Sequence, residues 1–181
     1  GTELYVAELQ ADGSLGVVVL VAGGPEVSIF QPEWSPDGVL YFISDRSGWW
    51  NLYRWVGGQA EALHPMEAEF GLPQWVFGMD TYGFASAEQM ICTYTQNGEW
   101  QLASLDLRSK KLTAIDTPYS DILRPDVHAG QVLFLGGSPT VPFCIVKLDL
   151  SNGQMETLRR SSQLEIDPGY LTLPQVIEFP T

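Results

Sequence analysis

The sequence predicts an all-β protein, a partial β-propeller of about three and a half four-stranded antiparallel blades. Three observations carry that prediction. Short apolar or alternating runs recur with Gly, Asn-Gly or Asp-Gly between them, and helical periodicity is almost absent. The run Val39 to Ile43 (VLYFI) does not alternate, so it reads as a strand buried on both faces, as when sheets stack on sheets. The pattern also repeats at a period of about 43 to 50 residues, from Leu40 to Met90 to Leu133.

The stretch Trp34-Ser35-Pro36-Asp37-Gly38 organises the first full unit. Ser35 suits the first turn position, where its hydroxyl can bond back to the backbone. Pro36 presets φ near −65°, and Gly38 takes the positive φ that closes the hairpin. Around it, Val27 to Trp34, Val39 to Ser44, Trp50 to Val56 and Ala60 to Leu63 read as four strands, the last two joined by Gly57-Gly58. The order returns as Thr81 to Ser86, Met90 to Thr95, Trp100 to Leu107 and Leu112 to Ile115, with Asn97-Gly98 as a hairpin turn. A third copy runs Asp121 to Val127, Val132 to Leu135, Phe143 to Leu150 and Met155 to Leu158, with turns at Ala129-Gly130 and Asn152-Gly153. Glu3 to Leu9 and Leu15 to Val21, around Asp12-Gly13, read as the outer half of a preceding blade. The expected organisation is a propeller portion over residues 1–160, with blade parts 1–24, 25–64, 80–116 and 117–160 and an insertion at 65–79. Residues 161–181 leave the pattern and read as a linker that ends on an apolar strand, Val176 to Phe179.

Composition bounds the function. The chain has 181 residues, is 45% hydrophobic and 12% aromatic, and carries a formal charge of −13 from 9 Lys+Arg against 22 Asp+Glu. That balance disfavours nucleic acid and anionic membrane surfaces, which need a concentrated basic face. It suits a solvated acidic surface and also cationic ligands such as a free amino terminus. No apolar run is long enough for a transmembrane helix, and no secretory leader is visible; the abrupt start at Gly1-Thr2 reads as a cut from a longer chain. Cys92 and Cys144 lie in apolar strand patterns and are expected to be buried free thiols, which favours a reducing cytoplasm. His64 and His128 lack metal-ligand spacing, and no phosphate-cradling glycine loop is present, so no metal or cofactor is expected.

Glu33-Trp34-Ser35-Pro36-Asp37-Gly38 resembles the TolB-like propeller repeat. Asp167-Pro168-Gly169-Tyr170, followed by Pro174-Gln175-Val176-Ile177-Glu178-Phe179-Pro180-Thr181, resembles the junction between propeller and α/β-hydrolase domain in the prolyl oligopeptidase family, in particular its bacterial dipeptidyl aminopeptidase/acylaminoacyl-peptidase members. Pro73 to Met79 (PQWVFGM) and Leu158-Arg159-Arg160-Ser161-Ser162 resemble the same group, so the likeness covers nearly the whole chain. It implies a propeller that gates access to a serine hydrolase and helps bind its peptide substrate, with the chain's own C-terminal α/β-hydrolase domain as partner. This chain has no nucleophile elbow: Gly136-Gly137-Ser138-Pro139 lacks the G-x-S-x-G spacing, and neither histidine sits in triad context. The isolated chain is therefore expected not to hydrolyse anything. The other reading is a stand-alone TolB-like propeller that holds a protein or peptide without catalysis.

The candidate substrate-binding residues are Glu67, Glu69, Trp75 and Arg124. In related dipeptidyl peptidases, acidic residues on a propeller excursion bind the substrate's amino terminus. Glu67 and Glu69 could do the same from the insertion, or be solvated loop carboxylates. Trp75, with Phe77 and Tyr82, could line a pocket or pack the insertion onto the blades. Arg124, on a first strand near the axis, could meet a peptide carbonyl or carboxylate, or form a structural ion pair. Asp45 and Arg46 read as a blade-tip turn pair. An open set of blades is also expected to expose an apolar face or to self-associate through it.

Overall fold

A computed structural model describes residues 1–75, 78–164, 166–175 and 177. Its strands are β1 (Glu3–Val6), β2 (Val19–Gly23), β3 (Ile29–Trp34), β4 (Leu40–Ser44), β5 (Asn51–Val56), β6 (Gln59–Ala62), β7 (Tyr82–Ser86), β8 (Gln89–Gln96), β9 (Glu99–Asp106), β10 (Leu112–Ile115), β11 (Asp121–His128), β12 (Gln131–Ser138), β13 (Val141–Asp149) and β14 (Met155–Arg160). A 3-10 turn spans Pro168–Tyr170. The strands form a two-stranded sheet, β1-β2, and three four-stranded antiparallel sheets in consecutive order, β3 to β6, β7 to β10 and β11 to β14. This is a partial β-propeller. Of the expected strand at Val176 to Phe179 only Ile177 is described, and it is exposed and belongs to no strand; the other three residues lie outside the described ones. Among those described, no helix is long and apolar enough to cross a membrane.

The chain divides into two compact units, Gly1–Phe77 and Gly78–Thr181, with the boundary inside the insertion. In the first, the organising turn forms as its residues dictate. The Gly38 N–H donates to Ser35 O at 2.9 Å, and the Val39 N–H donates to Ser35 Oγ at 3.0 Å. Ser35 Oγ itself donates to Asp37 Oδ1 at 2.6 Å. Gly38 has φ +78°, a conformation in which a side chain would be strained. Every residue of β4 is buried, none more than 4% exposed. Its Leu40 and Phe42 pack with Val21 and Ala22 of β2, Ile29 of β3 and Tyr53 of β5, and Phe42 stacks on Tyr53. The opening pair is shorter than its apolar pattern: Val17 and Val18 lie outside the ladder and are exposed. Asp45 and Arg46 do occupy a turn. The Ser28 N–H donates to Asp45 Oδ1 at 2.7 Å, and the Arg46 guanidinium lies 5.1 Å from the centre of the Tyr53 ring.

In the second unit, Ile91 of β8 and Leu102 of β9 pack with Ile122, Val132, Phe134, Cys144, Val146 and Leu148 of the last sheet. β8 is buried from Met90 to Tyr94. β12 and β13 instead alternate: Val132, Phe134, Cys144, Val146 and Leu148 are buried, while Leu133, Phe143 and Ile145 are 38%, 41% and 42% exposed. One apolar face of this sheet is therefore open to solvent. Cys92 and Cys144 are both buried and unpaired, and burial pushes the Cys92 thiol up to about 12.

The repeat extends to charge placement. Arg54 and Glu61 face each other across β5 and β6, with Nε to Oε2 at 2.6 Å, and Lys147 and Glu156 do so across β13 and β14 at 2.6 Å. The turn aspartates repeat as well. Asp12, Asp106 and Asp149 each accept bonds from a nearby serine hydroxyl and backbone N–H, which holds all three carboxyls below the ordinary value of 3.8.

Candidate functional site

The insertion begins as a folded extension of its sheet. Asn51, the buried first residue of β5, accepts from the Met66 N–H at 3.0 Å through Oδ1 and donates to Met66 O at 3.1 Å through Nδ2. The Phe70 N–H donates to Trp50 O at 2.8 Å, and Ala68 and Phe70 are buried. Gly71 lies against Trp50 so closely that a Cβ there would fall 2.7 Å from the indole. Side chain and backbone together thus fix residues 66 to 71 on the end of β5.

This geometry separates the two glutamates. Glu69 Oε2 accepts from the Trp50 N–H at 2.9 Å. It satisfies a backbone donor that the β4–β5 ladder leaves over, which is a structural task. Glu67 is exposed on the same segment. Trp75 is 88% exposed, so it does not pack the insertion onto its blade. The neighbouring Gln74 does that, donating through Nε2 to Ile29 O. Tyr82 cannot be a pocket wall: it is 1% exposed and sits edge-on to Phe84 in the core of the second unit. Phe77 lies outside the described residues. Glu67, Glu69 and Trp75 belong to the first unit and Arg124 to the second.

Arg124 is exposed on β11 and forms no ion pair among the described residues. Its backbone is unusual, with φ +53° for a non-glycine residue that precedes proline. The register explains why. Leu123 pairs with Leu135 and Asp126 with Leu133, so Arg124 and Pro125 together oppose Phe134 in a β-bulge. The first unit carries the same device. Gln31, at φ +46°, and Pro32 oppose Phe42 between the pairs Phe30–Ile43 and Glu33–Tyr41. There the side chain has a local partner, since Gln31 Nε2 donates to Glu33 Oε1 at 2.9 Å. Gln31 was not singled out from the sequence. The signal that could have found it is the recurrence of an apolar residue, a polar residue, proline and an acid, Phe30-Gln31-Pro32-Glu33 and Leu123-Arg124-Pro125-Asp126. Both bulges lie on the first strand of a four-stranded sheet.

Ser138 ends β12, and its Oγ accepts from the Thr140 and Val141 N–H groups in the β12–β13 turn.

Fold and loops together define a propeller portion built of four-stranded meanders. Comparison with solved structures narrows the class. The chain is similar to a puromycin hydrolase determined with PGG bound, at 31% identity and TM-score 0.86 over 98% of this chain and 27% of that one. It is similar to a puromycin-hydrolyzing peptidase of Mycobacterium tuberculosis at 30% identity and TM-score 0.88, over 96% of this chain and 26% of that one. Prolyl oligopeptidases and endopeptidases share the fold at 14–17% identity, with TM-scores of 0.66–0.68. TolB from Acinetobacter baumannii does so at 20% identity and TM-score 0.61, over 86% of this chain and 37% of that one. No family model and no curated protein sequence matches the chain. The chain resembles the β-propeller portion of prolyl oligopeptidase family peptidases, and it spans about a quarter of the length of the peptidases it matches.

Proposed function

We propose that the chain is the non-catalytic propeller portion of a prolyl oligopeptidase family serine peptidase. In this reading it gates access to a catalytic α/β-hydrolase domain outside this chain and helps bind the peptide substrate. The observation that carries it is the 31% identity to a puromycin hydrolase along 98% of the chain. The whole protein then cleaves aminoacyl or peptidyl amides, puromycin among them, and this portion supplies peptide contacts.

Each contact follows from its chemistry. Trp75 offers an exposed aromatic face to an apolar side chain. Arg124 offers a guanidinium, all donor and no acceptor, to a peptide carbonyl or carboxylate. The Glu67 carboxylate suits a free amino terminus. Glu69 contributes through its remaining oxygen, since the other holds Trp50 N.

The test is the full-length protein assayed on aminoacyl and acyl-peptide chromogenic substrates and on puromycin, with this chain as the blank. Hydrolysis is expected from the full-length protein alone. Trp75→Ala and Arg124→Gln there are expected to raise KM several-fold with kcat held, the signature of lost substrate binding. A full-length protein that binds peptides and hydrolyses none of the panel would refute the reading and leave the TolB-like binding propeller.

A further inference from the structure

We infer that the second unit carries a separate binding groove for a short peptide, which it holds by the peptide's terminal carboxylate. The groove, about 880 Å³, lies between the tip of the β12–β13 turn and the segment that follows β14. Its volume is that of a site for a ligand of a few residues.

The polar side chains on the lining are those of Ser138, Thr140, Arg160, Ser162 and Gln163, every one of which can donate. Arg160 is the only charged residue on it among those described, in a chain that carries 22 acidic residues. Arg160 forms no ion pair among the described residues. Ser162 Oγ already accepts from the Leu164 N–H at 3.1 Å, so its O–H is left to donate. Ser138 Oγ accepts from the Thr140 and Val141 N–H groups at 3.3 and 3.1 Å. It lies 3.3 Å from Thr140 Oγ1, an arrangement that uses one of the two hydroxyl protons and leaves the other. A guanidinium and hydroxyls with protons left to donate recognise acceptors: carbonyls and, at the cation, a carboxylate. Val141 and Leu164 add apolar surface for side chains. In a ligand this short, the carboxylate that is always present is the terminal one. The groove therefore selects the opposite charge from the one the chain's overall acidity favours. The inference does not depend on a catalytic partner, because every group named lies in this chain.

The experiment is calorimetric titration of the chain with N-acetyl-Leu-Ala-Leu as the free acid, its C-terminal amide, and N-acetyl-Leu-Asp-Leu amide, which moves the carboxylate to a side chain. The free acid is expected to bind about five-fold or more tighter than either amide, the scale of one partly exposed charge-assisted contact. Arg160→Gln should remove that preference. Arg159→Gln, its neighbour outside the groove, should keep it, and circular dichroism should show both variants folded. Equal binding of acid and amide, no binding of the acid at millimolar concentration, or a preference that survives Arg160→Gln would overturn the inference. Tighter binding of the aspartyl amide than of the free acid would overturn the assignment to the terminal carboxylate.

Discussion

Replacing Glu69 separates a structural carboxylate from one held ready for a ligand. The Trp50 N–H at the start of β5 donates to Glu69 Oε2 at 2.9 Å, and no other acceptor for that N–H occurs among the described residues. A hydrogen bond to a charged group contributes about 1.5–3 kcal/mol net, and partial exposure puts this one at the low end, about 1.5 kcal/mol. Glu69→Ala removes it and leaves a half-buried donor without a partner. In urea, with a slope of about 1.5 kcal/mol/M for a unit of this size, the midpoint of the first unit should fall by roughly 1 M. Glu69→Gln keeps an amide oxygen in the same place and should lose about a third of that. Hydrogen exchange reads the same bond locally: the Trp50 amide should exchange faster in the alanine variant and near the wild-type rate in the glutamine variant. Wild-type stability and protection in Glu69→Ala would refute the reasoning, as would a glutamine variant that falls as far as the alanine one. Either result would mean that the carboxylate does not hold the end of β5 through this acceptor.

Four further outcomes are expected. Cys92, with its thiol pushed up to about 12 by burial, should resist iodoacetamide at pH 8 in the folded chain and react on unfolding; prompt native labelling would contradict its burial. Asp12, Asp106 and Asp149 have folded pKa values below 3.8, so the stability they contribute is complete above the ordinary carboxylate range and is lost as pH falls through the depressed values. Replacing all three by Asn should therefore flatten the acid limb of a stability-against-pH curve below about pH 4 and leave its slope near neutrality unchanged. Arg124→Gly relieves a left-handed backbone at the cost of a more flexible unfolded chain, so thermal melting should show a change within about 1 kcal/mol, while KM in the full-length protein rises as for the glutamine variant. The open face at Leu133, Phe143 and Ile145 should drive concentration-dependent self-association in sedimentation velocity, and Ile145→Lys should suppress it; a strict monomer at high concentration would exclude that contact.

The strands were legible because each is bounded by residues with a mechanism. Ser35, Asp37 and Gly38 build the turn their chemistry suggests, and Asn97-Gly98 adopts positive φ at both positions, +54° and +81°. The uninterrupted apolar run of β4 correctly indicated burial on both faces. Three features were less legible, each for a physical reason. The task of Glu69 depends on a loop folding back 19 residues to meet Trp50, and no local pattern records that separation. The bulges at Gln31 and Arg124 are a matter of register, two residues against one, and register is a property of strand pairs. β12 reads as apolar as β4, but from Gln131 to Leu135 only alternate residues are buried, because burial depends on what neighbours a sheet. The candidate residues divided on the same principle. The exposure of Trp75 and Arg124 and the capping by Glu69 follow from tertiary placement, which residue type alone does not encode.

The open face of β12 and β13 belongs to a molecule with a charge of −13, and the two properties oppose each other. Like charge keeps copies apart over a Debye length of about 10 Å at 0.1 M salt and about 3 Å at 1 M, whereas attraction between apolar faces does not weaken with ionic strength. Colloidal behaviour should therefore run opposite to that of a protein held together by ion pairs: dilute buffer keeps the chain dispersed, and concentrated salt brings its bare sheets together. Ionic strength thus sets the concentration at which the chain can be handled, with no change to the fold.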